Sequence, residues 1–138
     1  MRAAVRGYRQ GGLRRELDSA REALDTAGIH VNVDAQPLNL PAAHEAVLAL
    51  AIREAITNVV RHARARRCDV TVVQQGPECI ATVHDDGVGG NAEPGSGLTG
   101  MRERVESLGG TLRYDGTKGM TITITLPLAT PFAGERTA

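Results

Sequence analysis

The stretch that decides the fold is Ala46–Ala65, AVLALAIREAITNVVRHARA. Its apolar residues Val47, Leu48, Ala51, Ile52, Ala55, Ile56, Val59 and Val60 recur at helical spacing, which predicts a long helix with one side in a core. Glu54, Asn58, Arg61 and His62 fall at i, i+4, i+7 and i+8, so these four share a polar seam along the other side. An acid, a neutral amide oxygen, a fixed cation and an imidazole suit a magnesium-bound polyphosphate. The amide oxygen serves the metal, the guanidinium a phosphate, and the carboxylate is a proton acceptor. On an isolated helix a solvated face accounts for the same residues. Glycine-rich sequence further along the chain tips the balance.

Composition narrows the class. At 138 residues the chain suits one domain with one core, and with only 2% aromatic residues that core must be built from Leu, Ile, Val and Ala. Sixteen basic residues balance sixteen acidic ones, which argues against a general nucleic-acid binder. No apolar run is long enough for a membrane span and no signal-peptide pattern is present, so no membrane contact is expected. Cys68 and Cys79 lack the CxxC spacing, so two reduced buried thiols and a cytoplasmic setting are expected, without structural zinc.

Ahead of the long helix, residues 1–10 form an arginine-rich helical fragment, and Leu13–Ala27 a second helical run ended by Gly28. Ile29–Val33 alternates as a short strand, and Pro37 and Pro41 bracket a loop. Beyond the long helix, Asp69–Gln75 and Glu78–His84 form a hairpin around Gly76-Pro77. Leu98–Leu108 is a helix with Met101, Val105 and Leu108 inward, and Thr111–Tyr114 and Met120–Leu126 are two more strands. Helices and strands are partly segregated. The expected fold class is therefore α/β: a two-layer α/β sandwich whose mixed, mostly antiparallel sheet is covered on one face by helices. In this division residues 1–27 are a leading helical segment, 28–128 the domain proper and 129–138 a tail.

Two glycine boxes follow the long helix. Asp85-Asp86-Gly87-Val88-Gly89-Gly90 ends a strand, where a carboxylate can accept a hydrogen bond from an exocyclic amine such as that of adenine. Gly87 and Gly89 there let the backbone pass close to a flat base. Gly95-Ser96-Gly97-Leu98-Thr99-Gly100 spells GxGxxG, yet Asn91–Pro94 before it is a loop rather than a strand, which rejects a dinucleotide fingerprint. What remains is a glycine-rich helix start, whose free N–H groups and positive dipole end suit phosphate.

Taken together, these motifs resemble the ATP-binding domain of the histidine kinase, gyrase, Hsp90 and MutL superfamily, a Bergerat-type fold. The likeness is to the catalytic domain of bacterial two-component sensor histidine kinases, in the short-lid, nitrate-sensor and thermosensor type. Arg53–Ala63, REAITNVVRHA, resembles the N box, Asp85–Gly89 the first glycine box and Gly95–Val105, GSGLTGMRERV, the second. The resemblance implies ATP and Mg2+ as cofactors. Asn58 would ligate magnesium, Glu54 would polarise the attacking imidazole or a water, and Arg61 with nearby His62 would meet phosphate. Asp85, or Asp86 if the register shifts by one, would bind the adenine amine, with Gly87 and Gly89 lining the pocket. Gly95, Gly97, Gly100 and the Leu98 N–H would cradle phosphates, with help from Ser96 and Thr99.

Two departures stand out. Where a Gly-Thr pair is common before the last strand, Gly119 is followed by Met120, and Thr121 stands one residue later as the substitute. None of the four histidines, His30, His44, His62 and His84, sits in a phosphoacceptor setting. The resemblance therefore implies a truncated or naturally short kinase half that binds ATP without phosphorylating itself, with residues 1–27 the remnant of a dimerisation-helix or linker segment. Its partners would be a histidine-bearing dimerisation domain and, indirectly, a response regulator. A stand-alone serine kinase of the anti-sigma type and a nucleotide-binding module without turnover are the competing expectations.

Overall fold

The computed structural model describes residues 2–89 and 97–128, without the side chains of residues 2–11, 62 and 63. The element order is α1 (Arg2–Thr26), β1 (His30–Ala35), α2 (Ala42–Asn58), a π-helical turn (Val59–Ala63), β2 (Arg67–Gln75), β3 (Glu78–Asp85), α3 (Leu98–Ser107), β4 (Thr111–Asp115) and β5 (Met120–Pro127). One five-stranded sheet runs in the order β1-β2-β3-β5-β4. Only the β1–β2 pair is parallel.

Alternation along the strands decides which face is covered. Val70 and Val72 on β2, Cys79, Ala81 and Val83 on β3, and Ile122, Ile124 and Leu126 on β5 are all buried. Their neighbours Thr71, Thr82, Thr123 and Thr125 are only half-buried, as a period of two demands. Against the buried face lie Leu48, Ala51, Ile52, Ala55 and Ile56 of α2, and Leu98 and Val105 of α3. Leu17, Ala20 and Leu24 of α1 complete this aliphatic core. Fully burying each of the larger side chains contributes about 1.5–3 kcal/mol before the entropy of ordering is charged against it. The two-layer sandwich expected from the sequence is the architecture found.

Three differences have physical causes. The fragment 1–10 and the run 13–27 form a single helix, Arg2–Thr26. It closes as expected at Gly28, with the Ile29 N–H donating to the Leu24 carbonyl at 2.9 Å. The long helix starts at Ala42 rather than Ala46, with Pro41 as its N-cap in extended backbone, φ −59° and ψ 149°. His44 Nε2 then donates to the Pro127 carbonyl at 3.0 Å, tying the start of α2 to the end of β5. At its other end the α-helical period stops at Asn58, and the chain continues through the π-helical turn to Arg64 in the left-handed conformation, φ 53°. A wider turn re-aims every later residue relative to a 3.6-residue pattern. Val60, expected on the apolar side, is 41% exposed.

Candidate functional site

Asp85 is the last residue of β3 and shares the inward parity of Val83 and Ala81. It is 2% exposed, the one buried charged side chain among the described residues. Its Oδ1 accepts from the Gly87 N–H at 2.8 Å. Burial pushes this carboxyl above its usual range, while the Gly87 N–H, the charge of His84 and the Met120 N–H pull the other way. Next door, Asp86 is exposed and faces elsewhere. Its Oδ1 accepts from the backbone N–H groups of Arg66 at 2.8 Å and Arg67 at 3.0 Å, and these bonds hold its carboxyl below the usual range. One aspartate thus looks into the helix-covered side of the sheet, and the other fastens the end of β3 to the start of β2.

Glu54 reaches the second glycine box. α2 packs against α3, and a Cβ placed on Gly97 would lie 2.5 and 2.8 Å from the two Glu54 carboxylate oxygens. Gly97 also has φ 99°, which L side chains rarely adopt. Its two properties, backbone conformation and close approach, are both needed to let an acid from α2 meet the start of α3. A negative group there is favoured by the helix dipole. Asn58, one turn beyond Glu54, is half-buried, and its side chain has no hydrogen-bond partner among the described residues.

The first glycine box is held from below by the β4–β5 turn. Gly119, at φ 71°, is pressed against the Asp85 carbonyl, and Gly89 against the carbonyls of Gly116 and Gly119. Sequence reasoning missed Gly119 and Met120 as neighbours of Asp85. The signal that places them is the β3–β5 register, Asp85 opposite Met120 and His84 opposite Thr121, which no local pattern carries.

Several expected residues gather at this end of the sheet and some do not. Glu54 and Gly97 are brought together, with Leu98 buried behind them and Gly100 exposed in the first turn of α3. Thr99 is exposed in the same turn, and Arg61 is exposed within the π-helical turn. Gly87 serves Asp85 directly. His62 lies in the π-helical turn with its side chain outside the described residues, as Gly95 and Ser96 are altogether. Thr121 is not brought to this side. It sits on the opposite face of the sheet from Asp85, its Oγ1 hydrogen-bonded to His84 Nδ1 at 2.7 Å, because one residue of shift along a strand reverses the face. A separate groove of about 1050 Å³ lies between α1, residues 37–40 and α2, lined by Glu16, Glu45 and Arg53 among others. Its acids are engaged: Glu45 accepts from the Leu13 N–H, and Glu16 pairs with Arg53 at 3.7 Å.

Residues 43–130 match the family model described as histidine kinase-, DNA gyrase B- and HSP90-like ATPase. That span exceeds half of the chain. The protein belongs to this ATPase family. Similar curated proteins include the sensor histidine kinase DesK of Bacillus subtilis, 34% identical over 131 residues, 91% of this chain and 35% of DesK. The nitrate/nitrite sensor protein NarX of Escherichia coli is 37% identical over 109 residues, 74% of this chain and 18% of NarX. Among solved structures, the blue-light activated histidine kinase of Erythrobacter litoralis superposes with a TM-score of 0.71 at 26% identity, covering 84% of this chain and 44% of that one. The chain thus spans about a third or less of the length of these two curated relatives. It has the α/β fold of this ATPase family, and the part of the sensor histidine kinases that it matches includes that ATPase domain. No helix among the described residues is long and apolar enough to cross a membrane.

Proposed function

We propose that this ATPase-family domain holds magnesium-bound ATP between α2, the two glycine boxes and the sheet, and presents its γ-phosphoryl group to a histidine of a dimerisation domain. The observation that carries this is the meeting of Glu54 with Gly97 at the start of α3, on the side of the sheet where Asp85 is buried. Adenine donates its exocyclic amine to Asp85, for which Asp86 is poorly placed because two backbone N–H groups already occupy its Oδ1. Phosphates lie toward the α3 start and Arg61, where amides and a guanidinium oppose their charge.

The donor set suits magnesium in one particular way. No cluster of three His, Cys, Asp or Glu side chains that could hold a metal occurs among the described residues. Asn58, whose amide has no hydrogen-bond partner among the described residues, would offer a cation one hard oxygen of the kind magnesium accepts. Bound there, magnesium would offset phosphate charge.

Transfer then needs positioning more than covalent chemistry by the domain. An imidazole nitrogen bonds to the γ-phosphorus as the bond from that phosphorus to the β–γ bridging oxygen breaks, and ADP departs with that electron pair. Glu54 accepts the hydrogen bond of the far imidazole N–H and keeps the lone pair aimed. The acceptor comes from another segment, and a response regulator takes the phosphoryl group onward. To test this, the chain is mixed with γ-labelled ATP, alone and with a dimerisation domain bearing the acceptor histidine. Acid-labile label should appear only on the added domain. Label on the chain itself, or on serine of a partner, refutes the proposal.

A further inference from the structure

Among the described residues the sheet has two edges, β1 and β4. Parity decides which backbone groups of β4 are spare. The Asp86 N–H donates to the Arg67 carbonyl at 3.3 Å, so the bonded rungs between β2 and β3 are this one and every second rung after it, Asp69–His84 and Thr71–Thr82. A strand bonds its two neighbours through alternate residues. Ala81 and Val83 of β3 therefore bond to β5, and Thr123 and Thr125 of β5 bond to β4. On β4 this commits Thr111, Arg113 and Asp115 to the ladder, and turns the N–H and C=O groups of Leu112 and Tyr114 to the free side.

Arg102 of α3 occupies that free side. Its Nε and Nη2 both donate to the Leu112 carbonyl, at 3.1 and 3.0 Å, which fills the two lone pairs of this oxygen. The same guanidinium lies over the Tyr114 ring, 5.4 Å from its centroid, within cation–π range. Thr111, Arg113, Tyr114 and Asp115 are exposed, and an uncovered edge of this kind is a template for another strand.

We infer that Arg102 holds the β4 edge closed against a second copy of this chain. The edge is self-complementary. In an antiparallel pair with Tyr114 on the two-fold axis, Arg113 of each copy stands opposite Asp115 of the other, and the two tyrosine rings meet. Five residues make a short ladder, and it can form only once the fork on Leu112 has left. The contact itself does not depend on the nucleotide reading. On that reading it has a use: a dimerisation domain would hold two such domains at about millimolar effective concentration, where even weak edge pairing would tie them together.

Sedimentation equilibrium over a range of concentrations tests this. The wild type should stay monomeric up to about 1 mM. Arg102→Ala and Arg102→Gln, which keep a good helix former in α3, should approach the mass of a dimer in that range. Adding Tyr114→Pro to Arg102→Ala should restore the monomer, because proline there removes only an N–H on the free side. In the wild type, hydrogen exchange should find the Arg113 amide protected and the Tyr114 amide unprotected. A wild type that dimerises, a folded Arg102 variant that stays monomeric, or a dimer that survives Tyr114→Pro overturns the inference. So does protection of the Tyr114 amide. Loss of the fold in both Arg102 variants would mean that the contact serves folding rather than closure of the edge, and overturns it as well.

Discussion

Replacing Asp85 with Asn separates stability from nucleotide binding. The side chain is 2% exposed and burial raises its proton affinity, so the folded protein favours the neutral form more than the unfolded chain does. A carboxylate raised in this way contributes stability that is present below the unfolded value, near 3.8, and lost as pH rises through the folded value. Asn is neutral at every pH and its Oδ1 can still accept from Gly87, so Asp85→Asn should match or exceed the wild-type Tm at pH 7. Its Tm should also fall less than the wild type's as pH rises from about 4. Binding responds in the opposite sense. With Oδ1 held by Gly87, the Asn amide turns an NH₂ toward the adenine amine, and donor meets donor. Losing a charge-assisted bond of about 1.5–3 kcal/mol weakens ATP about 10- to 150-fold. Thermal unfolding across pH and calorimetry with ATP measure the two arms. A variant less stable than wild type at pH 7, or one that binds ATP as wild type does, refutes the placement of Asp85 as a buried, amine-facing acid.

Other substitutions report on neighbouring contacts. Gly97→Ala should destabilise by about 1–3 kcal/mol, since it forces an L residue to φ 99° against the Glu54 carboxylate. Chemical denaturation of Gly97→Ala, Glu54→Ala and the double variant should show that removing the acid relieves part of this cost. Glu54→Gln should leave ATP affinity within a few-fold and slow transfer to an added dimerisation domain by about 100-fold, read from initial rates of labelling. Asp86→Ala should lower Tm at pH 7, with the difference vanishing as pH falls below the depressed carboxyl pKa, because the wild-type bonds to Arg66 and Arg67 are lost there too. Iodoacetamide at pH 8 should spare Cys68 in the folded chain and modify it on unfolding, since its pKa is about 12 and it has no exposed surface.

Where local rules apply, the sequence was a good guide to this molecule. The alternation Ile122, Ile124, Leu126 against Thr121, Thr123, Thr125 gave the covered face of β5 correctly. Gly28 and Gly109 follow their helices at positive φ, as a left-handed cap requires. Two things were illegible for different reasons. Thr121 was carried to the site by proximity in sequence, whereas the pairing of β3 with β5 puts Met120, not Thr121, on the inward face beside Asp85. A register between strands more than thirty residues apart leaves no local mark. The polar seam was read at 3.6 residues per turn through His62, whereas the helix widens after Asn58. Period analysis assumes one geometry throughout, and a π-helical turn breaks that assumption without a distinctive residue.

These failures cluster where the chemistry is proposed to be. Within a few residues of the ends of α2 and β3 the protein holds a π-helical turn, a non-glycine residue at positive φ, a buried carboxylate with a raised pKa, and glycines pressed against carbonyl oxygens or an acid. The turn, the positive-φ arginine and the buried acid are each costly, the glycines are positions no other residue fits, and all depart from the consistency that specifies the rest of the sandwich. The core of Leu48, Ile52, Val70, Val83 and Ile124 is ordinary by comparison and supplies the stability that sustains them. Their arrangement is also mutually dependent: Asp86 holds the start of β2, Gly119 backs the Asp85 carbonyl, and Gly97 yields room to Glu54. A purely structural account predicts that relaxing one of them, as Asp85→Asn does, improves the fold at no functional loss. A nucleotide site predicts that the same change improves the fold and weakens ATP, and only the second outcome explains why a charge is kept buried there.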